Sequence, residues 1–251
     1  MLDPYKKPSK DWEVAHSSLL KSSHCNKTYE QCRDYSCNDI ANNLTRISDD
    51  SSFITELPPG TNFNFLIRVD TSSYYSYNPS YYFQSFKKRN YISFSTINNK
   101  NISHYKYRGR TLLLAYDVTP DTIVHVFPID SDIKTDAKSE EELTLFPSLW
   151  LTLKELNSLT LKLRTYNQIT CKTKINGNII KPFGVICFDK VDDYAIEVAK
   201  NFGIKCIIVH PDTNALHYSA DVYYDFPTTR EASYIMEEMY EINLTSHLYY
   251  D

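Results

Sequence analysis

Glycine sets the first limit on this chain: it has five in 251 residues. Phosphate-binding loops depend on glycine, because only a residue without a Cβ lets the backbone turn tightly and approach a pyrophosphate closely. Neither a Gly-x-Gly-x-x-Gly run nor a P-loop occurs in the sequence. A nucleotide bound here has to be held by side chains. Tyrosine is as abundant as glycine is scarce, with 21 residues. Tyr74, Tyr75, Tyr77, Tyr81 and Tyr82 crowd into one polar stretch that could give a stacking face.

The length is that of one large domain, or of one domain with an appendage, and suffices for a sizeable core. A net charge of −4 gives no electrostatic reason to expect nucleic acid or a membrane surface as partner. The longest apolar runs, Phe183 to Phe188 and Ile204 to Val209, are too short to span a bilayer, so no membrane insertion is expected. The first residues, Met1-Leu2-Asp3-Pro4-Tyr5-Lys6-Lys7-Pro8, have no apolar signal-peptide core. The expected location is the cytosol, or another cell entered by a secreted effector without a cleavable signal. Among the six cysteines, Cys25, Cys32 and Cys37 follow His24. Their spacing lacks the short clip of a zinc site, and no metal is expected. Cys187 and Cys206, inside apolar runs, read as small core residues.

Three regions are expected. Residues 1–58 form a polar N-terminal part with short helices at Thr28–Gln31 and Cys37–Ala41. Residues 59–148 carry strands: Phe63 to Arg68, Tyr91 to Ile97, Thr111 to Tyr116 and Thr122 to Phe127, with a turn at Thr119-Pro120-Asp121. Leu143 and Leu145, alternating with Thr144, extend this pattern up to Pro147. Residues 149–251 form a C-terminal α/β extension. There Leu159, Leu161 and Leu163 alternate as in a strand, and Asn176-Gly177 is a two-residue hairpin turn. Phe183–Phe188, Val191–Phe202 and Ile204–Val209 then read as strand, helix and strand, with Gly203 as the helix C-cap. A short acidic helix over Thr229–Glu241 closes the chain.

Three elements carry chemistry, in the order Arg68, then Tyr91-Ile92-Ser93-Phe94-Ser95, then Glu140-Glu141-Glu142. A guanidinium at a strand end presents a fixed fork to a pyrophosphate and replaces the missing glycine loop. A serine on a neighbouring strand fixes a carboxylate or a ribose hydroxyl through one hydrogen bond. Glu140 and Glu142, one residue apart in extended chain, project to the same face. Paired carboxylates suit chemistry at a sugar carbon: one stabilises positive charge on the ribose, the other takes a proton from the incoming nucleophile. Ser139-x-x-Glu142 also reads as a helix capping box. A helix starting there would meet Pro147 after about two turns, and the alternation of Leu143 and Leu145 favours a strand.

Arg68, Tyr91-x-Ser93-x-Ser95 and Glu140-x-Glu142 together resemble the Arg–Ser–Glu mono-ADP-ribosyltransferases, a family that includes bacterial toxins and effectors. The resemblance runs from Phe63 to Pro147, and Phe94 stands where that family usually carries threonine. It implies an α+β fold with a split β-sheet core, N-terminal helices and the C-terminal α/β extension. It implies NAD as substrate and a protein side chain, arginine by the Glu-x-Glu pattern, as acceptor. Arg68 would bind the NAD phosphates, with Tyr91 and Ser93 beside the cofactor. Ser93 would also order the catalytic site. Glu142 would act against the nicotinamide ribose, Glu140 would activate the acceptor, and Asp130 to Ser139 would form the loop that recognises the target.

Two rivals share these residues. One is an NAD glycohydrolase with water as acceptor; the other is a non-catalytic interaction module that keeps the fold, a reading that Phe94 favours. Arg68 alone reads equally as a surface arginine, and His125, within an apolar strand, as a core histidine. The turn Asp189-Lys190-Val191-Asp192-Asp193 is acidic and lacks glycine, which disfavours a second phosphate site. It reads as structural, or as a surface for a protein target.

Overall fold

The computed structural model describes residues 28–48, 52–71, 78–101, 111–129, 148–163, 166–210, 234–236 and 238. Helix α1, Tyr29–Asn43, starts at a capping box. Thr28 Oγ1 accepts from the Gln31 amide at 3.3 Å, and Gln31 Oε1 accepts from the Thr28 amide at 3.0 Å. The two helical stretches expected here are successive turns of this one helix, which buries Cys32, Ser36, Cys37, Ile40 and Ala41. Strands β1 (Ile54–Glu56) and β2 (Asn64–Thr71) follow. Helix α2, Pro79–Lys87, begins with proline behind an Asn78 cap that accepts from the Ser80 amide at 2.9 Å.

Strands β3 (Tyr91–Asn98), β4 (Thr111–Tyr116) and β5 (Ile123–Phe127) come next. A turn of 3-10 helix at Pro120–Thr122 joins the last two. Helix α3, Leu153–Leu163, leads to β6 (Gln168–Lys172) and to the two-residue strands β7 (Lys174–Ile175) and β8 (Asn178–Ile179). Strand β9 (Pro182–Phe188), helix α4 (Asp193–Phe202) and strand β10 (Lys205–Val209) form a strand–helix–strand unit. Residues 234–236 and 238 are helical, with Met236 buried. The rest of the helix expected over Thr229–Glu241, and the strand expected at Leu143 and Leu145, lie outside the described residues.

Helix α3 overturns one expectation. The alternation of Leu159, Leu161 and Leu163 predicts a strand, yet these residues are helical. The wider pattern explains why: Leu153, Leu156, Leu159, Thr160 and Leu163 recur at three and four residues and are buried, while Leu161 is 42% exposed. A second capping box starts the helix. Glu155 Oε2 accepts from the Thr152 amide at 2.9 Å, and Thr152 Oγ1 accepts from the Glu155 amide at 3.3 Å. Asp39 of α1 also receives the Leu153 amide at 2.7 Å, which ties the two helices together.

The architecture is mixed α and β: among the described residues, an eight-stranded sheet runs β1-β10-β9-β4-β2-β3-β6-β5. Strands β1, β10 and β9 are parallel and all other pairs are antiparallel. The crossover helix α4 permits the parallel β9–β10 pair. Asp192 caps its start, accepting from the Ala195 amide at 2.7 Å; Gly203, at φ 65°, ends it in the left-handed conformation. Asn176 and Gly177, at φ 50° and 79°, make the expected tight hairpin turn between β7 and β8. At the parallel edge, His210 Nε2 lies 2.8 Å from Glu56 and Nδ1 lies 3.5 Å from Asp189, which links the ends of β1, β9 and β10.

The sheet has two unlike faces. All four helices bury their apolar sides in one cluster, which takes Leu66, Ile92, Phe94, Leu114 and Val185 from the strands. Phe63, Phe65, Ile67, Ile97 and Leu113 form a second cluster on the opposite face. Helical spacing makes the α3 correction testable. Leu156→Ala is expected to cost about 2–5 kcal/mol, as for a buried leucine, and Leu161→Ala less than about 0.5 kcal/mol. Urea denaturation of the two variants measures both, and a large cost at Leu161 would restore the strand.

Candidate functional site

The site rests on an offset in the pairing of the two edges of β3. Strand β2 pairs with β3 from Asn64↔Asn98 to Ile67↔Ser95 and no further, although β2 continues to Thr71 against β4. On its other edge β3 pairs with β6 from Tyr91↔Lys172 to Phe94↔Ile169. Beyond Ile67 and Ser95 the two strands therefore part, and a cleft opens between them. Its lining comes from Ile67, Arg68 and Val69 of β2, Ser93 to Ser95 of β3, and Tyr166, Asn167 and Gln168 ahead of and at the start of β6.

Arg68 lies at this opening, in the interior of β2 and not at its end as expected. Strand alternation places it with Leu66 on the helix side, while Ser93 and Ser95 share the other side with Ile67. In an unbroken ladder the two side chains would be kept apart by the sheet. Because the ladder stops, the guanidinium reaches across the gap, and Nη1 donates to the Ser93 carbonyl at 3.1 Å. Its Cζ stands 5.9 Å from the centre of the Phe86 ring of α2. A guanidinium has five N–H donors. Among the described residues only that one carbonyl takes a hydrogen bond from it.

The serines have different surroundings. Ser95 Oγ donates to the Asn167 carbonyl at 2.7 Å, and the Thr96 amide donates to Asn167 Oδ1 at 2.9 Å. Asn167 Nδ2 in turn donates to Thr96 Oγ1 and Thr160 Oγ1. Ser95 thus belongs to a network that holds the turn before β6. Ser93 Oγ instead receives Gln168 Nε2 at 3.0 Å and lies 3.5 Å from Thr170 Oγ1. Phe94, the residue at odds with the family pattern, buries its ring 4.9 Å from Tyr116 on the helix side. Its bulk serves the core and leaves the serines on the other face.

Of the other expected residues, Tyr91 is buried at the start of β3 and is not among those lining the cleft. Glu140, Glu141 and Glu142, with the loop Asp130 to Ser139, lie outside the described residues, as do Tyr74, Tyr75 and Tyr77. Tyr82 is buried and its hydroxyl meets that of Tyr116 at 2.6 Å, so it offers no stacking face; Tyr81 is 55% exposed. Tyr166, Asn167, Gln168 and Thr170 were not anticipated. Gln168-Ile169-Thr170-Cys171 alternates polar and apolar residues, which marks a strand with one polar face.

Other chemistries find little support among the described residues. No group of three or more His, Cys, Asp or Glu is placed to hold a metal there. His24 and Cys25 lie outside them, while Cys32 and Cys37 are buried in the core by α1. Burial pushes the Cys37 thiol up to about 12 and the Cys171 thiol well above its usual range, so neither forms a ready thiolate. Among the described residues, no helix is long and apolar enough to cross a membrane. The start of α4 carries its own carboxylate, Asp192, where a phosphate would otherwise sit. No family model, characterised protein or solved structure matches the chain.

His125, opposite Thr170 on β5, is fully buried and stacks on Phe127 at 5.9 Å. Burial lowers its pKa to about 3, so it is neutral in the folded protein and has no charge to offer the cleft. Once unfolded, it regains an ordinary pKa near 6.5 and takes up a proton that the folded form refuses. Its effect on stability is therefore absent above that value. As pH falls from about 6.5 towards 3, the fold loses up to about 1.4 kcal/mol per pH unit from this group. Urea midpoints for wild type and His125→Asn across that range are expected to diverge, with the variant losing less on acidification. Parallel curves would show that His125 does not titrate in this way.

Proposed function

We propose that the protein cleaves NAD and transfers ADP-ribose to a protein side chain, with release of nicotinamide. The observation that carries this reading is the opening between β2 and β3, where Arg68 and Ser93 meet. A guanidinium with spare donors suits a pyrophosphate, and a hydroxyl 3.0 Å from an amide donor suits an oriented carboxylate or ribose oxygen. The cleft holds about 200 Å³, less than the roughly 300–1,000 Å³ of pockets for drug-sized ligands. On this reading the cleft takes only one end of a dinucleotide.

The reaction needs little from the protein beyond charge and position. The bond between ribose C1 and the nicotinamide nitrogen breaks, and its electron pair leaves with neutral nicotinamide. Positive charge builds on the ribose, where a carboxylate stabilises it. The acceptor nitrogen forms the new bond to C1 and gives its proton to a base. By the resemblance, Glu142 is the stabilising carboxylate and Glu140 the base. Arg68 anchors the phosphates, so the ribose carbon is presented in one orientation. With water in place of the acceptor, the same steps are NAD hydrolysis. The non-catalytic reading loses its particular support, since Phe94 is accounted for by core packing against Tyr116.

Incubation with NAD labelled in its adenylate half, with a cell lysate, tests the proposal. Label is expected on a protein band with wild type and on none with Glu142→Ala. Arg68→Ala is expected to lower kcat/KM for NAD by roughly 10- to 100-fold, the worth of a charge-assisted contact. Free ADP-ribose without a labelled band would select the hydrolase. Intact NAD after prolonged incubation with the folded protein would sink both enzymatic readings.

A further inference from the structure

Among the described residues, Gln168 is the one polar side chain that binds Ser93 directly at full hydrogen-bond strength, and the sequence motif does not include it. It sits at the start of β6, is buried, and lines the cleft. Its Nε2 donates to Ser93 Oγ at 3.0 Å and to Thr170 Oγ1 at 3.1 Å. An amide NH2 has two protons, and these two contacts use both. A hydroxyl has one proton and two lone pairs. Ser93 Oγ spends a lone pair on Gln168, which leaves its proton to give away. The Thr170 hydroxyl, at 3.5 Å, is at the limit of hydrogen bonding and is itself an acceptor from the same amide. A negatively charged or polarised oxygen in the cleft is the better recipient of the Ser93 proton.

We propose that Gln168 is a positioning residue that sets the polarity of Ser93, so that this serine acts as a hydrogen-bond donor into the cleft and selects an acceptor oxygen there. Scaffold geometry supports the assignment. Thr170 stands directly across from Ser93 in the β3–β6 ladder, and Gln168 is two residues along on the same face. The backbone at Gln168 is fixed on both edges, since β6 pairs with β5 through Phe127↔Gln168 and with β3 through the next residue, Ile169↔Phe94. The strand pairing fixes where the side chain starts, and in this structure its Nε2 faces both hydroxyls. The reverse orientation would set the carbonyl oxygen against both hydroxyls and turn Ser93 into a donor toward the protein.

As a statement about catalysis this inference rests on the NAD reading; as a statement about hydrogen-bond direction it does not, and two measurements separate them. In 15N-labelled protein, the side-chain amide protons of Gln168 are expected to exchange slowly. One should shift in Ser93→Ala and the other in Thr170→Val. Rapid exchange, or no shift in either folded variant, overturns the proposal whatever happens to NAD. If wild type consumes NAD, Gln168→Leu should lower kcat roughly tenfold, the worth of one hydrogen bond, with KM for NAD nearly unchanged. The same substitution in a Ser93→Ala background should have no further effect.

Gln168→Glu adds a readout that a packing role would not give. Its neutral acid can still donate to Ser93, whereas the carboxylate can only accept. Its kcat should fall as pH rises through the ionisation of the new carboxyl, a step missing from the wild-type profile. Full activity of Gln168→Glu at high pH, or additive losses in the double variant, overturns the positioning role. If wild type leaves NAD intact while the amide shifts are seen, the NAD reading fails and the Gln168–Ser93 polarity stands.

Discussion

Strand β3 is paired with β2 along one edge and with β6 along the other, each over only half its length, and the candidate site depends on that offset. Its last four residues pair with β2 and its first four with β6. Where β2 runs on without β3, backbone groups and side chains that a continuous ladder would close off become available. Buried backbone donors and acceptors must find partners or water. Arg68 fills part of that need by donating to the Ser93 carbonyl at 3.1 Å. The cleft is therefore a property of strand pairing, and it needs no glycine-rich loop.

The two sheet faces give the opening its chemistry. On the helix side, Leu66 and Phe94 share the sheet face of Arg68, and the Phe86 ring lies 5.9 Å from its guanidinium. On the other side, Ser93, Gln168 and Thr170 make a polar row, close to the apolar group of Ile67 and Val69. A ligand of the proposed kind, entering between β2 and β3, would meet a cation from one side and hydroxyls from the other. Low local dielectric strengthens both contacts. His125, held neutral by burial beside this row, adds no competing charge.

Much of this was legible in the sequence, for reasons that can be named. Period-two alternation identified β2 and β3, and short apolar runs identified β4, β5, β9 and β10. Asn176-Gly177 and Gly203 identified themselves through the positive φ they supply. Helix α3 was misread because three alternating leucines happen to sit inside a longer helical stripe. Thr152-x-x-Glu155, a capping box directly before that stripe, was the overlooked signal. Arg68 and Ser93, expected on neighbouring strands, do lie beside each other, but their facing opposite sides of the sheet is not legible in the sequence. Register depends on where a ladder stops, and local propensity does not encode that. Gln168 was missed because its role exists only once β6 lies beside β3, with more than seventy residues of chain between Ser93 and Gln168.

Glycine scarcity finally bears on how firmly such a site is built. A phosphate loop binds through backbone amides and owes its shape to flexible positions that the ligand must order. Here the candidate anion ligand is one guanidinium on an interior strand, backed by an aromatic ring and tied to a carbonyl. The start of α4, another helix N-terminus, is capped by Asp192 and carries Asp193 in its first turn. A side-chain site of this kind starts with less conformational entropy to lose on binding, because its donors are already held. It is also brittle. Lysine at position 68 would keep the charge but lose the planar fork that bridges the Ser93 carbonyl and the cleft. On the proposed reading, the strand opening that would let a chain with five glycines hold a nucleotide also makes that binding depend on a single side chain, Arg68.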